Sequence, residues 1–271
     1  MMSYQPQAAD TTEAADKLLF ALLRQRSMGD RVIMAMHHNA GSRQLFLTGL
    51  KRRFGRLTPD IVAQAFFKEA YPHGFRPNGD EMTWIQDPID LILGLHPVFE
   101  HHHLAYYVAG GVAAIFYGEY RTTQDADVVV NLSTDEMPAL IAALETLGFY
   151  LSGVSDVVNN RLQTFQAIHQ QTLGKVDLAI ASTDEFEVAK FARRRLEAIP
   201  ERGSLYLISP EDLVLSKLQR RQRSQFEKQW RDVLGVLKVQ ANTLDLAYMN
   251  HWAMELNLAH ELATALMAAG I

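Results

Sequence analysis

The sequence has no cysteine among its 271 residues. Disulfides, thiolate metal sites and thiol catalysis are therefore excluded. No stretch of about 18 residues is continuously apolar, so we expect no membrane-spanning helix and no membrane partner. The first residues carry no basic segment followed by an apolar run, which is what a signal peptide needs. These absences predict a cytoplasmic protein.

The chain also lacks an excess of positive charge. Its 26 Lys and Arg residues against 31 Asp and Glu residues give a formal net charge of -5. A general nucleic-acid binder is usually basic overall, so that class is not favoured. Three local basic clusters remain, and we interpret them as solvated helix faces. They are Lys51 to Arg53, Arg193 to Arg195 and Arg220 to Arg223.

Strand and helix patterns alternate only in the middle of the chain. This arrangement predicts an α+β fold, with a mixed β-sheet and flanking helices between two helical parts. A segment rich in Pro and Gly, Tyr71 to Asp80, favours a boundary before the middle part. We therefore predict an N-terminal helical region (1–86), a core (87–208) and a C-terminal helical bundle (209–271).

Local signals predict most of the individual elements. Thr58-Pro59 and Asp87-Pro88 are helix starts, and the second of these helices is expected to bend or end near His96-Pro97. Ser133 and Glu136 form a predicted capping box. Predicted strands are Ala105 to Val108, Asp125 to Asn131, Phe165 to His169, Lys175 to Ile180 and Ser204 to Ile208. Predicted later helices are Glu185 to Leu196, Glu211 to Arg221, Ser224 to Lys238, Leu244 to Leu256 and His260 to Ala268.

The candidate chemistry begins with two carboxylates, Asp125 and Asp127, at the start of an apolar strand. Alternate residues of a strand point to the same face, so these side chains project together, with Cα atoms about 6.5 Å apart. Two such carboxylates repel when they are buried, and a cation stabilises them. The pair can hold one metal ion or bridge two ions about 3.5–4 Å apart.

A third acid, Asp177, starts the apolar strand Lys175 to Ile180. If this strand lies beside the first, the spacing of about 4.8 Å between strands brings Asp177 to the pair. Asp177 then completes the metal shell or takes the proton from an attacking hydroxyl. Lys175 lies on the same face, where it contacts a nucleotide or only neutralises the acids.

Gly110 and Gly111 lie between a predicted strand and a predicted helix. Backbone without Cβ lets a phosphate approach the amide groups at a helix N-terminus. The pair is therefore a candidate phosphate-binding loop. Arg121 either contacts phosphate or pairs with an acid such as Glu119.

Taken together, the segment resembles the nucleotidyltransferase superfamily, whose pattern is strand, Gly-Gly, helix, and a strand with Asp-x-Asp. The resemblance covers Tyr106 to about Lys238. It implies that Asp125, Asp127 and Asp177 hold two Mg²⁺ ions. It also implies that a nucleoside monophosphate is transferred from a nucleoside triphosphate such as ATP, and that Lys217 faces the phosphates.

The residue pattern from Arg121 to Asp127 is similar to that of the bacterial branch that includes AbiEii-type toxins. That branch often has a Lys or Arg and then Asp-x-x-Asp near its end, whereas here Asp232 is followed by Val233, Leu234 and Gly235. The second acid is missing, so the toxin role is less favoured.

Three alternatives for the function stay open. The first is a toxin that modifies tRNA ends. The second is an enzyme whose acceptor hydroxyl belongs to a small molecule or to a side chain of a partner protein. The third is a catalytically silent nucleotide-binding module. An antitoxin or a second copy of the chain is a possible partner.

Overall fold

The computed structural model describes residues 4–159, 161–224 and 227–271, with no side chains described from 221 to 224. Its strands are β1 (Tyr106–Val108), β2 (Asp125–Val130), β3 (Phe149–Ser152), β4 (Thr164–His169), β5 (Lys175–Ile180), β6 (Arg195–Ile199) and β7 (Gly203–Leu207). Its helices are α1 (Glu13–Gln25), α2 (Met28–Phe54), α3 (Pro59–Phe67), α4 (Pro88–His101), α5 (Gly110–Tyr117), α6 (Met137–Thr146), α7 (Val154–Val158), α8 (Glu185–Arg193), α9 (Pro210–Ser224), α10 (Glu227–Gln240), α11 (Leu246–Glu255) and α12 (Ala259–Ala269).

The chain forms two compact units. The first unit comprises Met1–Ala35, Ala109–Arg121 and Asp184–Ile271, and the second comprises Met36–Val108 and Thr122–Thr183. Each unit is built from segments distant in sequence, because the chain crosses between them more than once. The three regions predicted from the sequence are a different division, and that division stays a prediction.

A mixed sheet forms the centre of the second unit. Its strands lie in the order β3-β4-β5-β2-β1. The neighbours β2 and β5 are parallel, whereas the other pairs in this order are antiparallel. In β2 the buried residues Ala126, Val128 and Val130 alternate with half-exposed ones, and α4 packs on β2 and β5. The predicted α+β fold with a mixed sheet and flanking helices is confirmed.

A second part of this unit is an apolar core beneath the N-terminal helices. Thr58 Oγ1 accepts a hydrogen bond from the Ile61 amide at 3.4 Å, and Pro59 occupies the first turn of α3. The cap fixes the start of α3. On this helix Val62, Ala63 and Phe67 are buried, together with Phe75 and Leu173. The segment rich in Pro and Gly therefore contributes Phe75 to a core.

The first unit is mainly helical and contains the β6–β7 hairpin. Helices α9 and α10 pack together, and α5 packs against both. Ser209 caps α9, since its Oγ accepts from the Asp212 amide at 3.1 Å. The end of α5 approaches α10 closely, because a Cβ on Gly118 would meet Gly235 C and Val236 N at 3.0 Å. Glycine is needed at this crossing.

Several predicted elements need correction. Helix α4 continues through Pro97 to His101, because its buried side chains, among them Ile92, Leu95 and Phe99, keep it packed. Ser133 does not cap α6, which starts at Met137; instead its Oγ donates to the Glu136 carboxylate at 2.6 Å. The predicted helix 185–196 ends at Arg193, and its last residues belong to β6. Strand β3 and helix α7 were not predicted.

Two expectations fall partly on residues that are not described. The predicted start of α10 near Ser224 includes residues 225 and 226, which lie outside the described part. The side chains of Arg221, Gln222 and Arg223 also lie outside the described part. The interpretation of their basic cluster as a solvated helix face therefore stays a prediction. In the three described ranges, no helix is long and apolar enough to cross a membrane.

Candidate active site

The carboxylates predicted to bind metal come together in the second unit. In the parallel pair β2–β5, Asp127 lies opposite Asp177, and Asp125 lies opposite Lys175. Residues two apart share a face of the sheet. The register therefore places all four side chains on one face, at the starts of two adjacent strands. Strand β4, the other neighbour of β5, contributes Gln166 opposite Asp177.

Lys175 is the cation of this group. Its Nζ lies 3.3 Å from Asp125 Oδ2 and 3.7 Å from Asp177 Oδ1. The lysine side chain is largely buried, whereas that of Asp125 is 40% exposed. Of the two roles considered for Lys175, neutralisation of the acids is the one that these contacts support. One ammonium group therefore lies between two of the three carboxylates, and Asp127 shares their face of the sheet.

The environment of Asp177 disfavours its charged form. Burial raises its pKa above the usual value of an aspartate; the Lys175 charge opposes this, and the carboxylates of Asp125 and Asp127 add to it. Gln166 donates a hydrogen bond to the carboxylate. Asp177 Oδ1 is buried and accepts no hydrogen bond within the described part of the chain. A carboxylate in this situation gains from a nearby cation or from a proton.

The donor chemistry fits Mg²⁺, which prefers carboxylate oxygens. The unsatisfied Oδ1 of Asp177 and the three carboxylates on one face both favour an added cation. However, no three acidic or histidine side chains among the described residues are gathered closely enough to hold a metal ion as they stand. Lys175 lies among the carboxylates instead, so binding of a metal ion requires these side chains to rearrange.

Residues outside the predicted site fix the position of the segment that precedes β2. Arg43 on α2 donates from Nη1 to Asp87 Oδ2 at 2.7 Å, and from Nη2 to the Thr123 carbonyl at 3.3 Å. Thr123 Oγ1 donates in turn to the carbonyl of Asp125 at 3.2 Å. Because Asp87 is the N-cap of α4, one arginine ties α2 and α4 to the segment before the aspartates.

The remaining predicted residues belong to the first unit. Gly110 and Gly111 are the first two residues of α5, both buried. Gly110 has φ 58°, in the left-handed region that glycine adopts at little cost. The N-cap residue, Ala109, makes no side-chain cap hydrogen bond to the first turn. The candidate phosphate-binding loop therefore lies at a helix N-terminus, and its role stays a prediction.

Arg121 and Lys217 meet at one carboxylate, Asp232. Arg121 donates from Nε to Asp232 Oδ1 at 2.7 Å and from Nη2 to Oδ2 at 2.8 Å. Lys217 Nζ donates to the same Oδ2 at 2.7 Å. Burial by itself raises the pKa of Asp232, but Lys217 and Arg121 outweigh it and hold the pKa below the usual value. An acid does pair with Arg121, but it is Asp232 and not Glu119, which pairs with Arg231.

One of the basic clusters has a structural role. Arg193 Nη2 lies 3.3 Å from Glu211 Oε2, and Arg195 Nη2 lies 3.6 Å from the same atom. The Arg193 guanidinium also lies over the Tyr248 ring, 3.9 Å from its centroid. The interpretation of this cluster as a solvated helix face is therefore wrong for Arg193, whereas Arg195 is exposed as predicted but lies on β6 and not on a helix. By contrast, Lys51 to Arg53 are exposed, as predicted.

Sequence reasoning missed Asn39, Arg43 and the pairing role of Asp232. A signal for the first existed, because Asn39 lies on the apolar stripe of α2 with Val32, Met36 and Leu47. A polar residue in such a stripe needs a partner. No local signal connects Arg43 with Asp87 or Arg121 with Asp232, which are 44 and 111 residues apart.

The chain is similar in sequence to one family of known proteins. A family model described as "Nucleotidyltransferase of unknown function (DUF6036)" matches residues 90–261. No curated protein is significantly similar to the chain in sequence.

Among solved structures, an antigenic nucleotidyltransferase-like protein from Paracoccidioides brasiliensis is 16% identical, with a TM-score of 0.44 over 68% of this chain and 94% of that one. ANT(2")-Ia in complex with adenylyl-2"-tobramycin is 15% identical, with a TM-score of 0.45 over 64% and 98%. A lincosamide antibiotic adenylyltransferase bound to lincomycin is 16% identical, with a TM-score of 0.39 over 58% and 99%. All three TM-scores are below 0.5, so these likenesses do not bear on the function of this chain.

Proposed function

Because this chain belongs to a family of nucleotidyltransferases, we propose that it transfers a nucleoside monophosphate from a nucleoside triphosphate to a hydroxyl acceptor, with Mg²⁺. The observation that carries the proposal is the β2–β5 register, in which Asp127 faces Asp177 and Asp125 shares their face. We assign these three carboxylates to the metal. When bound, Mg²⁺ neutralises phosphate charge and acidifies the attacking hydroxyl.

The covalent step is a displacement at the α-phosphate. The acceptor oxygen forms a bond to the α-phosphorus, the bond from that phosphorus to the bridging oxygen breaks, and pyrophosphate leaves. Asp177 Oδ1, which accepts no hydrogen bond from the described residues, is assigned to receive the hydroxyl proton. Its raised pKa suits a proton acceptor.

The residues predicted to bind the nucleotide are assigned within the same proposal. Gly110 and Gly111 are assigned to supply the helix start for phosphate, and Arg121 and Lys217, which meet at Asp232, are assigned as the cations that contact the phosphates. Lys175 is assigned to balance the acids until a nucleotide with its metal is bound.

A direct test uses purified wild type and the double variant Asp125→Ala and Asp127→Ala, with Mg²⁺ and each nucleoside triphosphate labelled either at the α- or at the γ-phosphate. We expect wild type to bind nucleotide with a Mg²⁺-dependent thermal shift and to release labelled pyrophosphate from γ-labelled substrate. The variant should lose both. Equal binding and turnover in the two proteins would rule the proposal out.

One observation favours a second candidate, a nucleotide-binding module without catalysis. Lys175 Nζ lies between Asp125 and Asp177, so a cation is already present where a metal is proposed. This candidate predicts nucleotide binding that is indifferent to Mg²⁺ and to EDTA. For the toxin that modifies tRNA we find no such support, because Arg193 and Arg195 engage Glu211.

A further inference from the structure

A cavity in the second unit lies next to the proposed metal-binding strand. It has a volume of about 350 Å³, and α2, α3 and the segment 122–124 line it. That volume is within the range of small-molecule sites, roughly 300–1,000 Å³. We call it the α2–α3 cavity. Its α2 and α3 walls come from the N-terminal helices, for which the proposed chemistry has no use.

The first sign of a ligand is Asn39, which lines this cavity. Asn39 is only 2% exposed, and neither its Oδ1 nor its Nδ2 has a hydrogen-bond partner in the described ranges. A buried amide without partners costs about 1–3 kcal/mol per group. Because an amide both donates and accepts, its natural complement is a group that does the same, such as a hydroxyl.

The second sign is the apolar wall of the cavity. Phe46 from α2 and Phe66 from α3 form a tilted pair, with ring centroids 6.0 Å apart, and both rings are partly exposed. Ala65 lies beside them in the lining. A wall of two phenyl rings suits the flat or apolar face of a ring, whereas the hydroxyls of Ser42 and Thr123 suit its polar edge.

The third sign is charge. The ionisable residues that line the cavity are Arg43 and Lys68, and no acidic residue lines it. Arg43 is already paired with Asp87 at 2.7 Å, whereas Lys68 has no ion pair with any of the described residues. The lining itself offers a cation and no carboxylate, which favours a neutral or anionic ligand over a polycation.

The cavity also lies close in sequence to the carboxylates. Gln124, in its lining, directly precedes Asp125, and consecutive Cα atoms are about 3.8 Å apart. Thr123, also in the lining, is hydrogen bonded to the Asp125 carbonyl at 3.2 Å. A hydroxyl on a ligand in this cavity is therefore within a few ångströms of the strand that carries the proposed metal site.

We propose that the α2–α3 cavity is the acceptor site, and that the acceptor is a small polyol with a ring face and no net positive charge. This inference rests on the proposed function. The acceptor hydroxyl forms the new bond to the α-phosphorus, its proton passes to Asp177, and pyrophosphate leaves. A nucleoside and an aryl glycoside share this chemistry, and the experiment distinguishes them.

The test measures binding and transfer separately. Uridine and 4-nitrophenyl β-D-glucoside are the two ring-bearing polyols, and tobramycin and bulk tRNA represent a polycation and a nucleic acid. Saturation-transfer NMR detects binding of each small probe without nucleotide. Transfer is followed with α-labelled nucleoside triphosphates and Mg²⁺. We expect at least one polyol to bind and to accept the label, and neither tobramycin nor tRNA to accept it.

Variants connect the effect to the cavity. Ser42→Phe fills it, and Asn39→Leu removes the amide, so we expect each to raise the KM for the polyol at least tenfold. Thr48→Phe is the matched control, because Thr48 lies on the same helix but lines a different cavity. All three variants should keep the Mg²⁺-dependent thermal shift with nucleotide. Asn39→Leu should also keep or raise the Tm, since it removes an unsatisfied amide.

The outcomes separate this inference from the proposed function. If nucleotide binds with Mg²⁺ but neither polyol binds, or if tobramycin or tRNA is labelled instead, the acceptor inference is wrong and the proposed function stands. A polyol KM that is unchanged in Ser42→Phe also overturns it. If a polyol binds but no nucleotide does, the proposed function fails, and the cavity is a binding site without an acceptor role.

Discussion

Two charged groups in this protein are built with opposite balances. In the second unit, Asp125 and Asp177 share one ammonium group, that of Lys175, on a face that also carries Asp127. In the first unit, Arg121 and Lys217 share one carboxylate, that of Asp232. Both lysines are largely buried. The first group gathers carboxylates around one cation, whereas the second gathers two cations around one carboxylate.

The hydrogen bonds differ as much as the charges. Asp232 receives a bidentate pair from Arg121 and a third bond from Lys217, all at 2.7–2.8 Å. The acid group has ion-pair distances of 3.3 and 3.7 Å and an unsatisfied Asp177 Oδ1. Burial raises the pKa of both Asp177 and Asp232, yet the net shifts have opposite signs. A carboxylate whose hydrogen bonds are all satisfied stabilises the fold. A carboxylate with an unsatisfied oxygen is what a site for a cation requires.

The largest expected effect is the loss of Asp232. Its side chain is 3% exposed and that of Lys217 is 5% exposed, so Asp232→Asn removes a buried carboxylate that two cations share. We expect the free energy of unfolding to fall by about 3–5 kcal/mol, measured by urea denaturation. Glu119→Gln, which breaks the exposed pair with Arg231, is the control and should cost at most about 1 kcal/mol. Similar costs for both would remove the contrast.

The next effect is on catalysis. Asp177→Asn removes the proposed metal ligand and proton acceptor, so we expect nucleotidyl transfer to fall at least about 100-fold. The same change should raise the Tm in EDTA, because the neutral amide avoids the cost that raises the pKa of Asp177. Activity assays and thermal unfolding of one preparation measure both. A variant that loses activity and stability together would point to a structural role.

A smaller effect is expected at Lys175. Lys175→Met removes the cation among the acids, so the Tm in EDTA should fall by about 2–4 °C, which corresponds to about 1 kcal/mol. Added Mg²⁺ should then raise the Tm of the variant more than that of wild type, since the ion no longer competes with an ammonium group. Equal Mg²⁺ shifts would show that lysine and metal do not compete for these carboxylates.

The smallest effect is a difference in pH dependence. Asp177 has a raised pKa, so the folded state binds its proton more tightly, and stability falls as the pH rises above the usual carboxyl pKa of about 4. Asp232 has a lowered pKa, so its contribution is present above that value and is lost as the pH falls through its folded pKa. Thermal unfolding from pH 3 to 6 should show opposite changes of slope in Asp177→Asn and Asp232→Asn. Parallel changes would contradict the two assignments.

Local signals predicted much of the fold correctly. The caps at Thr58 and Asp87 start their helices as expected, because each needs only a side-chain oxygen near the next turn. Strand β5 has the predicted bounds, Lys175–Ile180. The failures occurred where packing overrode local preference. Pro97 is tolerated inside the packed helix α4, and β6 forms from residues with a helical pattern because it pairs with β7.

The sequence by itself determined the candidate acids, Asp125, Asp127 and Asp177, since their spacing and their strands are local properties. Only the tertiary structure decided that Asp127 faces Asp177 across parallel strands, that Lys175 lies between Asp125 and Asp177, and that Arg121 and Lys217 meet at Asp232. The reason is physical. Spacing along a strand is set by backbone geometry, whereas pairing between distant residues depends on burial and strand order.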